Sequence, residues 1–231
     1  MARPAVMYIK DIPVLWLPFV FQDIRSGRRS GVLPPRFGAS DIVRNNPGYR
    51  RHVENVGYYF AISDYMDATV WLDWRSGARA DSLDPGWIRW NGNWNYRWID
   101  RFLSGRIGAN HHRLQDGSRS TGLSWQHSQQ FTMNRSLSAN VNYSSNTSVR
   151  RTTGFLAQEV LGTINSSVNY GDRFGPVSLQ LGGQRTQFPG RDEVTQTLPT
   201  LGLSTSPINV GEWLVWSPNL SVSNAQRLNI P

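Results

Sequence analysis

From Asn46 to the C-terminus the sequence is a succession of segments of about ten residues in which apolar and polar side chains alternate. Period-two alternation puts successive side chains on opposite sides of an extended chain, so it specifies strands with one apolar and one polar face. The series opens at 56–62, with Tyr58, Phe60 and Ile62 on one face. At 67–74, Ala68, Val70, Leu72 and Trp74 oppose Asp67, Thr69, Trp71 and Asp73. At 87–98, Ile88, Trp90, Gly92, Trp94, Tyr96 and Trp98 oppose Arg89, Asn91, Asn93, Asn95 and Arg97. Segments at 103–110, 123–126, 136–143, 160–170, 177–183, 198–203 and 214–222, the last interrupted by Pro218, bring the expectation to about ten strands. Tight turns at 63–66, near Asp100 and at 171–176 alternate with longer loops at 76–86, 147–158 and 187–193. That is the plan of an all-β, antiparallel up-and-down outer-membrane barrel, with the longer connections extracellular.

Rows of Asn, Ser, Gln, Thr and Arg need water, because each such group buried without a partner costs about 1–3 kcal/mol. The opposite face of Leu, Val, Ile, Ala and aromatics suits lipid. Alternation by itself also fits a soluble β-sandwich whose polar face meets solvent. Composition favours the barrel: a hydrophobic fraction of 39% and a mean hydropathy of -0.45 coexist with 10 Trp, 8 Tyr and 9 Phe. An aromatic-rich chain that is polar on average matches a wet lumen with aromatic girdles. Trp87, Trp90, Trp94 and Trp98 on one strand read the same way, since indole favours the headgroup level. No apolar run reaches the ~18 residues of a membrane-crossing helix. With no cysteine, disulfides, thiolate metal sites and cysteine nucleophiles are excluded. The start, MARPAVMYIKD, has no signal-peptide pattern, so an exported protein of this kind is expected to begin upstream of Met1.

Residues 11–38 change character halfway. An apolar run broken by Pro13 and Pro18 reads as a strand at a sheet edge or bend, and RSGRRSGVLPPRFG after it reads as a connector. The expected organisation is 1–22 as the end of one domain, 23–52 as a basic Gly/Pro-rich connector and 53–231 as barrel. Residues 1–52 hold nine basic and three acidic side chains, +6 of the net +8, and Lys10 is the one lysine. Nucleic-acid binding is not indicated, because no helix or aromatic platform accompanies the basic residues. The planar fork of arginine suits phosphate, which makes an anionic headgroup a candidate partner; a solvated linker beside a charged membrane surface is the plainer reading.

Catalysis finds little support. His111 and His112 are adjacent, so on a strand they face opposite ways and cannot share a metal. Asp116 near His112 is the nearest approach to a paired acid and base; His52 and His127 stand alone. Asp81, Asp84, Asp192 and Glu193 in the outer loops could hold bridging cations, but solvated loop charge accounts for them. No catalytic residue, metal site or cofactor is expected.

DIPVLWLPFVFQDI, RRSGVLPPRFGAS and YYFAISDYMDATVWLDWRS, in that order over residues 11–75, resemble the lipopolysaccharide-assembly outer-membrane proteins (LptD, the organic-solvent-tolerance family). The resemblance rests on Arg28, Ser30, Gly31 and Leu33 with Pro34 in the connector, then Tyr58, Tyr59 and Ile62, then Asp67 and Thr69. Beyond residue 100 it is to barrel strands in general. It implies a periplasmic β-jellyroll, whose end would be residues 1–22, followed by a large barrel, so that this chain would be a fragment of a longer one. It implies transport of lipopolysaccharide to the outer leaflet without chemistry, in the outer membrane of a Gram-negative-type bacterium with the N-terminal part periplasmic. Acyl chains would follow a jellyroll groove to which Trp16, Phe19 and Phe21 contribute. Sugars would pass a lumen lined by Asp67, Thr69, Asp73, Arg89, Asn91, Asn93, Asn95 and Arg97. Release would use a lateral gate beside the first barrel strand, here Val56, Gly57, Tyr58, Tyr59, Phe60 and Ile62, with Gly57 and the Pro47-Gly48 break weakening the ladder. Implied partners are lipopolysaccharide, an LptE-like lipoprotein plug, an LptA-like periplasmic bridge and membrane lipids, with no nucleic acid. The family's best-studied branch ties its domains with cysteines, a device this chain lacks. The alternatives are a generic porin or receptor barrel, which would lack the connector motif, and a soluble carbohydrate-binding β-sandwich.

Overall fold

The computed structural model describes residues 2–9, 12–21, 28–37, 51–77, 86–146, 163–188 and 193–229, the first two segments by their backbone. Those two, β1 (Ala2–Ile9) and β2 (Ile12–Phe21), pair antiparallel as a two-stranded sheet. Its ladder slips between Arg3 and Ala5 and between Met7 and Tyr8. The slips fall where Pro4, Pro18 and Pro13 cannot donate to the ladder.

The rest is one antiparallel sheet. It contains β3 (Gly31–Leu33), β4 (His52–Ser63), β5 (Met66–Arg75), β6 (Trp87–Trp98), β7 (Leu103–Leu114), β8 (Arg119–Thr132), β9 (Arg135–Ser144), β10 (Ile164–Phe174), β11 (Val177–Phe188) and β12 (Glu193–Thr205). A hairpin of β13 (Ile208–Gly211) and β14 (Leu214–Trp216) then leads to β15 (Asn219–Asn229), and the eleven strands of the main sheet run β15-β12-β11-β10-β9-β8-β7-β6-β5-β4-β3. Each strand lies beside its predecessor in the chain, apart from the inserted hairpin, as in an up-and-down sheet. β6 spans the residues its alternation marks out. β8 runs well beyond the expected 123–126, because its Ser, Gln and Thr positions blur the pattern without weakening the ladder.

Within the basic connector, Gly31–Leu33 joins the sheet as its outermost strand, followed by a bridge between Arg36 and Glu54. One expectation is corrected. Residues 214–222 are not one strand. Pro218 lacks an N–H, and its carbonyl accepts the Thr205 N–H at 3.1 Å, which separates β14 from β15.

The connections sort by end. Turns at 64–65, 133–134 and 175–176 and the 3-10 turn Ile99–Arg101 lie at one end. The β13–β14 hairpin joins them there, tied by Ser206 N–H to the Pro176 carbonyl at 2.7 Å. At the other end one tight turn, 115–118, occurs among longer connections at 76–86 and 145–163. Pairing of Gly31 with Tyr59 and Leu33 with Gly57 brings β3 into the sheet from the tight-turn end. Residues 38–50, including Pro47 and Gly48, and most of the long loops, including Asp81, Asp84 and Asp192, lie outside the described residues.

Burial is inverted relative to a soluble domain. Among the described residues the buried apolar side chains are Trp87, Leu114, Ala139, Ile164 and Val194, while Asp67, Asp73, His112, Ser120, Ser144, Asp172 and Gln187 are buried polar ones. Large apolar residues such as Phe60, Val70, Trp90, Leu123, Leu181 and Val222 are exposed. A β-sandwich would cover that apolar face with a second sheet.

Candidate functional site

The sheet edge at β3 is built from the connector motif. Arg28 forms an ion pair with Asp67 at 3.1 Å, and Ser30 Oγ accepts the Ala61 N–H at 2.8 Å. Gly31, Val32 and Leu33 pair with Tyr59, Tyr58 and Gly57. The Pro34 carbonyl accepts a hydrogen bond from Asn55 Nδ2 at 3.0 Å. Pro34 and Pro35 have no N–H to give, so continuous pairing stops after three residues and resumes only at the Arg36–Glu54 bridge. The outermost strand is therefore held by a short ladder and a few side-chain bonds.

β4 accommodates this edge with a bulge. Its register against β5 shifts between Val53 and Val56, and Asn55 takes a left-handed φ of 62°, which Asn tolerates better than most residues. Asn55 N–H donates to Asp73 Oδ1 at 2.9 Å. Gly57 packs where a Cβ would strike the Val70 carbonyl and the Trp71 side chain. Of the residues expected at a gate, Val56, Tyr58, Phe60 and Ile62 share the exposed face, with Tyr58 and Phe60 rings 4.7 Å apart. Gly57 and Tyr59 share the other face by alternation.

The polar face carries the eight residues Asp67, Thr69, Asp73, Arg89, Asn91, Asn93, Asn95 and Arg97, which the register sets side by side: Asp67 opposite Asn95, Thr69 opposite Asn93 and Asp73 opposite Arg89. Asp73, 4% exposed, accepts Arg89 Nε at 3.2 Å, Arg89 NH2 at 3.1 Å and Asn91 Nδ2 at 2.8 Å in addition to Asn55. Asp67 accepts Asn95 Nδ2 at 2.6 Å, and Asn95 Oδ1 accepts Arg106 Nε at 2.7 Å. Charge-assisted bonds of this kind satisfy the carboxylates without water. Trp87 departs from the expected aromatic band: it lies on this polar face, buried against His112 with the Arg89 guanidinium over its ring.

The apolar face keeps its few polar tips occupied. Tyr96 Oη and His127 Nδ1 are 2.8 Å apart, and Trp125 Nε1–H donates to Tyr96 Oη at 3.1 Å. Tyr96 lies across Gly105, where a Cβ would collide with its ring, so glycine there is a seat for the tyrosine. Near the 133–134 turn, Arg135 Nε meets Asp172 Oδ2 at 2.8 Å, with Tyr170 O–H donating to the same oxygen at 3.1 Å. Nothing in the sequence pattern flags these sets, because partners on different strands are brought together only by register.

No acid–base pair forms at the candidates considered above. Asp116 Oδ1 accepts Ser118 N–H at 2.7 Å within its own turn, and His111 Nδ1 lies 3.0 Å from Thr121 Oγ1 on the face opposite His112. Glu193 pairs with Arg227 at 3.4 Å. Trp16, Phe19 and Phe21 lie on β2, whose side chains are outside the described residues.

A long meandering antiparallel sheet with an exposed apolar face and a hydrogen-bonded polar face defines the wall of a transmembrane β-barrel, present here as a partial barrel. A family model described as LptD protein matches residues 1–214, and the chain belongs to that family. Membership implies an outer-membrane location, and the family is not known as one of enzymes. The LPS-assembly protein LptD of Bordetella avium is 36% identical over 69 residues, 30% of this chain and 8% of the relative. The protein of the same description from Ectopseudomonas mendocina is 27% identical over 151 residues, 62% of this chain and 14% of the relative. That of Pseudomonas fluorescens is 27% identical over 135 residues, 54% of this chain and 12% of the relative. The chain thus spans a small part of the length of the curated relatives it matches.

Proposed function

We propose that this chain forms part of a lipopolysaccharide transporter of the outer membrane and that lipid leaves beside its N-terminal sheet edge. The observation that carries the reading is the combination of a lipid-compatible outer face with an edge strand that two prolines interrupt. A lateral exit needs a seam that opens without unfolding the wall, and β3 offers a ladder of three residues where its neighbours have about ten. The gate then consists of the free edge of β3, with Val56, Gly57, Tyr58, Tyr59, Phe60 and Ile62 of β4 as the strand behind it. Acyl chains would meet Val32, Tyr58 and Phe60 on the apolar side, and sugars the amide and charged groups on the polar side.

The β1–β2 sheet, with Trp16, Phe19 and Phe21 on β2, would belong to a periplasmic jellyroll that delivers lipid to this edge. A lipoprotein plug of the LptE type would occupy the polar side of the barrel, and a bridge of the LptA type would dock on the periplasmic domain. The relatives' description as LPS-assembly proteins supports the substrate class. The test is photocrosslinking in cells from Val32 and Tyr58 of the full-length protein. In cells, lipopolysaccharide should be captured at both positions, with capture falling when its supply is cut off. An inserted, active protein that captures none at Val32, Tyr58 or Ile62 would overturn the gate.

A further inference from the structure

Beside the gate, on the polar face at the tight-turn end, lies a trough of about 590 Å3. Its charged lining is Arg28, Arg97 and Arg106 against one carboxylate, Asp67, a local charge of +2. The four elements that supply it are cross-linked: Arg28 to Asp67 at 3.1 Å, Asn95 to Asp67 at 2.6 Å and Arg106 Nε to Asn95 Oδ1 at 2.7 Å. This chain of bonds occupies one edge of Arg106 and leaves its terminal nitrogens for a ligand. Arg97 makes no side-chain hydrogen bond or ion pair among the described residues; its backbone N–H holds the Tyr65 carbonyl at 2.8 Å, which fixes its strand against the turn. Gln126 completes the floor beside Arg106.

We infer that this trough is a binding station for a phosphate-bearing saccharide. Guanidinium groups bind phosphate oxygens two at a time, and two of them converging with amide donors recognise a sugar phosphate better than a neutral sugar. The volume is that of a small-ligand site. Asp67 and Asn95 act as positioning residues that orient Arg28 and Arg106, and the Asp67 carboxylate offsets part of the repulsion between the arginines. The inference rests on the transport reading, in which the saccharide part of lipopolysaccharide passes this face, and adds that its phosphates are held here next to the exit edge.

The test uses the full-length protein in detergent, carrying a photoreactive residue at Gln126 and, separately, at Val32. The probes are purified lipopolysaccharide and the same material dephosphorylated with hydrofluoric acid. Gln126 should capture the phosphorylated form, with capture reduced at least about tenfold by Arg97→Gln, by Arg106→Gln or by dephosphorylation, the size of one lost charge-assisted bond. Excess inorganic phosphate should compete, whereas capture from Val32 should not depend on phosphate. Both arginines are exposed, so unchanged heat-modifiable migration of the variants will report an intact barrel. Capture at Gln126 that ignores both substitutions and dephosphorylation overturns the station, as does capture of a polypeptide in place of lipid. Capture at Val32 with none at Gln126 overturns the station alone; absence of capture at both overturns the transport reading as well.

Discussion

Asp73 shows how single residues hold this wall together. It gathers a backbone N–H from the β4 bulge, an arginine from β6 and an amide from β6 while being nearly inaccessible. Asp73→Ala leaves those donors unpaired, and we expect a loss of about 1–3 kcal/mol in urea unfolding of the detergent-solubilised protein. Asp73→Asn should cost a similar amount, because its one amide oxygen can still accept the Asn55 N–H but its NH2 then faces the Arg89 and Asn91 donors. Gly105 works through space instead of charge. Gly105→Val should push Tyr96 off its seat, separate it from His127 and Trp125, and lower stability by about 1–3 kcal/mol, with a shift in Trp125 emission that Gly92→Ala, whose Cβ meets nothing, does not produce. The polar face was legible in the sequence because alternation alone assigns Asp67, Asp73 and the Asn residues of β6 to one side. The roles of Asn55 and Gly105 were not, since both depend on atoms of a neighbouring strand.

Among the elements, β3 decides most. Prolines normally argue against a strand, and the basic, glycine-rich setting of Gly31–Leu33 hides it further. Ladder pairing with β4 overrides those local signals, while the prolines still limit how far it extends. Replacing Pro34 with Val and Pro35 with Thr should lengthen the ladder, so that amide exchange at residues 54–57 slows by about tenfold or more, the effect of one added backbone bond. The same double variant should export lipopolysaccharide more slowly if the seam has to open. Unchanged exchange would show that the prolines do not limit pairing. β6 makes the opposite case: its long alternation and the tryptophans of its apolar face define it from residue 87 to 98 without tertiary help, and only Trp87, at the end where the polar face closes over, falls on the unexpected side.

At the scale of the whole molecule the distribution of burial is the main result. Asp67, Asp73, Asp172 and Gln187 are covered while Phe60, Trp90 and Leu123 are open, an arrangement stable only where the apolar side meets lipid. Leu181→Arg, near the middle of β11 on the apolar face, should destabilise the bilayer-folded protein by about 2–4 kcal/mol. Gln180→Arg, one residue away on the polar face, should stay within about 0.5 kcal/mol of the parent. Folding titrations in lipid vesicles distinguish the two.

The most direct measurement is a spin-label scan of β5 in the full-length protein reconstituted in bilayers, with single cysteines at positions 68–72 of a cysteine-free background. Relaxation by oxygen should be high at Ala68, Val70 and Leu72 and low at Thr69 and Trp71, while a water-soluble nickel reagent gives the reverse alternation. Equal access of the nickel reagent to both sets, or alternation of the opposite phase, would contradict the assignment of the two faces and with it the barrel wall.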